Sequence, residues 1–524
     1  MMDKTLSIYD VLIVGGGING AGIARDLAGR GLSVLLCERD DLAAHTSSSS
    51  TKLIHGGLRY LEYYEFSLVR KALQEREVLL RSAPHIMWPL RFVMPHDAAM
   101  RPIWMIRAGL FLYDHLAKRE ILAGSEVVSL REHEAGAPLR PQFKKGFVYS
   151  DGWVDDARLV VLNALAAQES GATIMTQTTC LSAQIENNQW RATLQLGSGE
   201  TKIIQARALV NAAGPWAGKF LQHNLSRADA HTLRLVKGSH IVVRKLFEHD
   251  YAYIFQNADK RITFAIPYEN DFTLIGTTDV EIAGEPDTAK IDADEIRYLC
   301  AQASRYFAKP VSESDVVWSY TGVRPLLDDE SGDPSAVTRD YQLEMSERPV
   351  PLLTVWGGKI TTFRKLAQEA GDMVCSALTV DAKSRTANQF LPGGDFKEYI
   401  TATGNPVNDF SGFVAELTRR HPWLPKPLRL RYARAYGSRI NYIIGKASSL
   451  SQLGEEIAPQ FYAAEAQYLM QHEWAHNAQD MLWRRSKLGL HMSEVECEKV
   501  VDWCDAAVHT ASKNTDLNNK LYKA

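Results

Sequence analysis

Residues 55–66 read HGGLRYLEYYEF, and the mixture of types points to chemistry more than to packing. His55 carries an imidazole that titrates near neutral pH, so it can take up a proton and return it. Arg59, four residues on, keeps its charge and presents paired donors that suit a phosphate. Tyr60 adds a phenol. Gly56 and Gly57 let the backbone come close to a flat ring. A lone histidine is more often structural, and Tyr60 by itself also reads as an aromatic lid. Together the set describes a place where a small anion meets a reactive ring.

The elements that must hold such a site are also visible. Residues 9–38, YDVLIVGGGINGAGIARDLAGRGLSVLLCE, read as strand, glycine turn, helix, strand. Val11–Val14 is an apolar, branched run of the kind a buried parallel strand shows. Gly15, Gly17 and Gly20 fit G-x-G-x-x-G, which lets backbone approach a pyrophosphate at a helix N-terminus. Glu38 lies 23 residues after Gly15, a spacing that suits a carboxylate accepting from ribose hydroxyls. The competing reading is a glycine-rich packing turn, and the motif does not choose between FAD and NAD. Residues 206–220, ARALVNAAGPWAGKF, and 355–367, VWGGKITTFRKLA, are strands running into small-residue turns. A site assembled from residues near 15, 50, 210 and 360 suggests a large, deeply embedded cofactor.

Seven segments occur in order: GGGINGAGIARDLAGRGLSV, SSSSTKLIHGGLRYLE, DDARLV, NAAGPWA, LIGTTD, YTGVRPL and GGKITTFRKLA. Together they resemble the aerobic, FAD-dependent glycerol-3-phosphate dehydrogenases of bacteria, motif by motif over residues 1–395 and more loosely beyond. Single motifs are shared with FAD enzymes of the glycine and D-amino-acid oxidase type; the combination of HGGLRYLE, YTGVRPL and GGKITTFRK is more specific. The resemblance implies FAD, bound non-covalently, and oxidation of sn-glycerol 3-phosphate to dihydroxyacetone phosphate. It further implies a membrane quinone as acceptor and a peripheral, monotopic place on the cytoplasmic face of the bacterial inner membrane. Cofactor contacts carried over are Gly15, Gly17, Asn19, Gly20, Glu38, Thr46, Ser47, Ser48, Lys52, Leu53, His55, Gly214, Gly358, Lys359 and Thr361.

Flavin oxidation of a secondary alcohol needs a hydroxyl proton acceptor and a fixed phosphate. His55 is the simplest acceptor, and Arg324 suits a developing alkoxide, since a guanidinium stays protonated. Phosphate candidates are Arg59, Arg324 and Arg339, although Arg339 stands beside Asp340 and reads equally as an ion pair. Lys359 can hold the phosphate or the anionic side of the flavin. Thr277, Thr278 and Asp279 reach the site rim or cap a turn. Rival functions are a glycerol-3-phosphate oxidase using oxygen, an amine oxidase, and a flavin-binding redox sensor without turnover.

The expected fold is α/β: an FAD-binding Rossmann-like domain with an interleaved antiparallel-sheet substrate domain and a C-terminal helical domain. Residues 1–395 carry the first two, the substrate part mainly about 75–145 and 225–350, and 396–524 the third. The chain has 524 residues and a formal net charge of −3, which gives no basic field for nucleic acid. Six cysteines show no CxxC pair or zinc spacing, so no metal and a reducing compartment are expected. No secretory signal and no apolar run of 18 residues appears, so no transmembrane helix is expected. Two segments are candidates for an anionic membrane surface. Residues 100–119 form an amphipathic helix, with a buried helix as the alternative. Residues 419–446 hold eight Lys or Arg and no acid, with pairing inside the fold as the alternative. A homodimer is left open.

Overall fold

Val11, Leu12 and Ile13 have no exposed surface, because Ser7–Val14 is an inner strand with a parallel neighbour on each side. The computed structural model describes residues 7–97, 101–227, 233–257, 259, 261–327 and 340–521, with side chains to residue 507. Arg339 lies outside the described residues. The chain divides into two units, Met1–Leu391 with Asn405–Val407, and Pro392–Gly404 with Asn408–Ala524.

In the first unit one sheet runs Gln342–Ser346, Leu352–Trp356, Thr201–Asn211, Ser7–Val14, Val34–Cys37, Thr173–Met175. All neighbours after the first pair are parallel. A hairpin, Thr178–Glu186 with Gln189–Leu196, joins antiparallel to Thr201–Asn211. The long helices of this unit are α1 (Ile18–Gly29), α2 (Phe66–Ser82), α3 (Ile103–His115), α4 (Asp156–Glu169), α5 (Ala293–Tyr306) and α6 (Phe363–Ala377). Strands connected by helices in this way give a buried parallel sheet whose carboxyl ends open onto a ligand crevice.

The second sheet is antiparallel except where Ala252–Gln256 meets Met87–His96. Its path is Val280–Glu281, Leu233–Arg244, Phe272–Gly276, Ile262–Tyr268, Ala252–Gln256, Met87–His96, Lys145–Val154, Leu53–Ile54. Val316–Leu327 pairs with Leu233–Arg244, so Arg324 lies opposite Val236. The helix α5 interrupts the strands of this region, where an antiparallel sheet alone was expected. Its start is a capping box, Asp292 with Glu295, and Leu299, Ala303 and Tyr306 are buried against Phe255 and Ile275.

Two helices that flank the site segments are fastened together. Arg364 on α6 donates to Glu75 on α2 at 2.7 Å and 2.5 Å, and both residues are only 5% exposed. The loop holding His55 enters α2, and the segment Gly357–Thr362 enters α6. This bidentate pair therefore ties the two approaches to the site.

The second unit is helical: the helix Pro406–Arg420 from Asn408 onward, then Lys426–Tyr436, Ile440–Ile444, Ala463–His472 and Glu494–Leu521. Phe396 stacks on Phe413 at 4.4 Å between ring centres in a core with Leu417, Tyr432, Leu469 and Val500. Four cations of the basic run 419–446, Arg419, Arg420, Arg431 and Arg439, have partners inside this unit, in line with the alternative of pairing inside the fold. Arg419 and Arg420 both bond Glu416. Arg431 bonds Glu465 at 2.5 Å and 2.7 Å. Arg439 is buried and donates to the Tyr468 hydroxyl at 2.9 Å.

Candidate active site

A cavity of about 350 Å³ lies at the carboxyl ends of the parallel strands, lined by Gly15, Gly17, Asn19, Glu38, Gly214 and Gly358 among others. The glycine turn is shaped by contact. A Cβ on Gly20 would sit 1.9 Å from the Gly15 carbonyl oxygen, and one on Gly15, where φ is +112°, 2.5 Å from that of Ala212. Helix α1 starts at this turn with no side-chain cap. One of its first amides, at Ile18, donates to Ser47 Oγ at 2.9 Å. Glu38 closes the next strand and accepts from the Gly16 amide at 2.6 Å and the Asp40 amide at 2.9 Å. Burial pushes its carboxyl up, against the pull of those amides. Cys37 and Cys180 also line the cavity, but burial pushes both thiols up, Cys180 to about 12, so neither is a thiolate nucleophile.

A smaller cavity of about 100 Å³ holds the chemistry-bearing set: His55, Arg59, Tyr60, Asp151, Thr277 and Asp279. The rest of its lining is mostly aromatic and apolar, with Phe92, Tyr149, Ile254, Ile262 and Phe264. The His55 amide donates to Thr361 Oγ1 at 3.2 Å, which ties this loop to the segment opening α6. Gly57 has φ +75°, and a Cβ there would meet the Tyr60 ring at 2.2 Å. Only glycine fits a turn that folds Tyr60 back on the loop. The Lys359 ammonium lies 4.0 Å from the centre of the Tyr60 ring. Arg59 donates to the Tyr63 hydroxyl at 3.3 Å. Arg324 pairs with Asp279 and donates to Thr277 Oγ1 at 3.2 Å, so the charge it brings is shared with an acid of the cavity wall.

Behind this wall His240 is buried, stacked on Tyr320 at 4.8 Å and 3.0 Å from Thr51 Oγ1. Burial, helped by Arg324 and Lys52, holds its imidazole well below the usual range, so it is neutral.

Residues 10–363 match the family described as FAD dependent oxidoreductase, and residues 384–514 that described as C-terminal domain of alpha-glycerophosphate oxidase. A glycerol-3-phosphate dehydrogenase of Pseudomonas aeruginosa is 51% identical over 93% of this chain and 93% of its own. A D-erythritol 1-phosphate dehydrogenase of Brucella abortus is 48% identical over 95% of this chain and 98% of its own. Among solved structures, the glycerol-3-phosphate dehydrogenase from Bacillus halodurans complexed with FAD aligns with a TM-score of 0.76 and 26% identity. That alignment covers 100% of this chain and 95% of the other.

The chain belongs to the FAD-dependent glycerol-3-phosphate dehydrogenase family.

As a member of that family it is an FAD enzyme, and its larger cavity has the features the cofactor requires. Asn19 Oδ1 is buried with no partner among the described residues, while its amide nitrogen donates to the Gly357 carbonyl at 3.0 Å. Unsatisfied polar atoms of this kind are costly unless a ligand engages them. Among the residues expected to contact the cofactor, Gly15, Gly17, Asn19, Glu38, Thr46, Ser47, Gly214 and Gly358 line the larger cavity, and Leu53 and His55 the smaller.

Gly20, Ser48, Lys359, Thr361 and the substrate candidate Arg324 line neither, and nor does Lys52. It is 1% exposed, ion-paired with Asp156 at 2.7 Å and bonded to the Ser48 carbonyl at 3.0 Å. The structure gives it a supporting place behind the serine segment, because a buried ammonium needs its carboxylate. The sequence reading missed Trp216, which carries the Arg39 guanidinium at 4.2 Å and lines the larger cavity. It also missed Asp151. An aspartate inside the aromatic strand segment FVYSDGW was the available signal, since an acid rarely enters a strand core without a partner. Glu38, Asp40 and His45 lie together, but His45 and Asp40 bond each other at 2.8 Å and Glu38 is taken by backbone amides.

Proposed function

We propose that this enzyme oxidises sn-glycerol 3-phosphate to dihydroxyacetone phosphate and delivers the electrons to a membrane quinone. The observation that carries the reading is the small cavity, whose lining brings His55, Arg59 and Tyr60 together with Thr277 and Asp279. FAD, when bound, supplies the acceptor for the two electrons and hydrogen leaving carbon 2. His55 takes the hydroxyl proton as the carbonyl forms. Arg59 and Lys359 hold the phosphate, and Arg324, steadied by Asp279, offsets negative charge developing on the substrate oxygen. Tyr60 closes over the anion, with Lys359 against its face. Arg339 is a further candidate for the phosphate.

A second reading is favoured by the Brucella abortus relative, which is nearly as similar: a four-carbon polyol phosphate as substrate. The apolar wall of Phe92, Ile254 and Phe264 favours the shorter chain, since an added hydroxymethyl group would be desolvated there.

Peripheral attachment to a membrane surface is supported by α3. No described helix is long and apolar enough to cross a membrane, yet Trp104 is 68% and Phe111 64% exposed on this one. Exposed rings beside Arg107 suit a lipid interface. The test is product formation from glycerol 3-phosphate under nitrogen with a soluble quinone. Quinone-dependent dihydroxyacetone phosphate is expected, whereas turnover only with oxygen and peroxide release would assign an oxidase. Faster turnover of erythritol 1-phosphate would transfer the substrate assignment.

A further inference from the structure

The smaller cavity has a buried support that is not part of the proposed proton and phosphate chemistry. Strand Leu53–Ile54 pairs with Gly152 and Trp153. One residue further the ladder stops, and a side chain takes over. The Gly56 amide donates to the Tyr113 hydroxyl at 2.8 Å and lies 3.2 Å from Asp151 Oδ1. The same hydroxyl donates to Asp151 at 2.8 Å. Arg76, from α2, pairs with Asp151 and donates to the Ser150 carbonyl at 2.9 Å. Arg76, Tyr113 and Asp151 are 1%, 2% and 3% exposed. A Cβ on Gly56 would fall 2.5 Å from the Tyr113 oxygen and 2.4 Å from Leu73, so the loop is pressed directly onto this group.

We infer that Asp151 and Tyr113 are positioning residues that set the place of the His55 imidazole. The inference rests on reading the smaller cavity as the substrate site. One carboxylate gathers a guanidinium from α2, a phenol from α3 and an amide from the loop, and so joins three elements at the residue next to His55. Burial raises the Tyr113 phenol well above its ordinary range and keeps it a donor. A displacement of about 1 Å at a reacting group can cost about a hundredfold in rate, so the network acts on the reaction through geometry.

The experiment is anaerobic stopped-flow reduction of bound flavin by glycerol 3-phosphate in Tyr113→Phe, beside wild type and Leu110→Ala. Leu110 is buried on the same helix and makes the packing control. Tyr113→Phe is expected to lower the limiting reduction rate about tenfold or more, with FAD content retained and the midpoint for substrate within about threefold. Leu110→Ala is expected to lower thermal stability while its FAD-loaded fraction reduces at the wild-type limiting rate. A wild-type limiting rate in Tyr113→Phe overturns the inference, and so does an equal slowing in both variants. If Tyr113→Phe does not fold, Asp151→Asn is read by the same criteria. Wild-type bleaching by glycerol 3-phosphate tests the functional reading, and the ratio of variant to wild type tests this one.

Discussion

His55 and Arg59 sit on one short loop whose glycines leave no room for substitution, and that proximity gives each a separable role. Replacing His55 by Ala should leave FAD bound, because the hydrogen bond that ties this loop to Thr361, in the segment opening α6, comes from the His55 backbone amide. Flavin reduction should fall by about a hundredfold or more, the usual worth of a positioned general base. Reduction at the wild-type rate would remove His55 from that role. Arg324→Ala should weaken substrate binding and reduction together and leave Asp279 without its cation. Unchanged substrate affinity and rate would place Arg324 outside the site. His240 predicts a pH effect on stability. Its folded pKa is depressed, so below about pH 6.5 the unfolded chain binds the proton and the folded chain does not. Stability should therefore be full above that pH and fall on acidification. The thermal midpoint of wild type should drop between pH 7.5 and 5.5, and a His240→Asn variant should lose less over the same range. Parallel curves would show that His240 does not set the acid sensitivity.

At the scale of elements, what was legible in the sequence was what is local. Gly15, Gly17 and Gly20 are constrained by atoms within a few residues or in the adjacent strand, so their spacing carried the turn, the helix and the acid at Glu38. The antiparallel sheet expected within about 225–350 was legible for the same reason, since apolar runs such as Ala252–Gln256 and Phe272–Gly276 are short and set between turns. The helix α5 was not read, although Asp292 and Glu295 announce it, because it stands among strands and its apolar face is narrow. Asp151 was not read because its partners, Arg76 and Tyr113, are brought to it only by the fold. In the basic run 419–446 the partner of Arg431 was not legible for a related reason: Glu465 lies 34 residues away and is brought to it only by the fold. The pair joining α2 and α6 gives a prediction at this scale. Glu75→Ala leaves Arg364 buried without its carboxylate, a loss of about 3–5 kcal/mol. Urea denaturation should register it as an earlier midpoint; a midpoint equal to wild type would show that the pair does not fasten the helices.

Across the whole molecule, one unit carries both cavities and α3, whose two faces differ. Leu110 and Tyr113 are buried beneath it, while Trp104, Met105, Phe111 and Leu112 are exposed. A double change, Trp104→Ser with Phe111→Ser, alters only the exposed rings and should reduce sedimentation with phosphatidylglycerol vesicles several-fold while FAD content is kept. Unaltered sedimentation would move the lipid contact elsewhere. The account as a whole rests on a phosphorylated three-carbon alcohol reducing bound FAD. The direct measurement is the visible spectrum of the purified protein under nitrogen, before and after sn-glycerol 3-phosphate, with glycerol as the comparison. The flavin band should bleach with glycerol 3-phosphate and persist with glycerol. A band that stays oxidised with both would contradict the substrate assignment, and bleaching by both equally would contradict the role given to Arg59 and Lys359 in holding the phosphate.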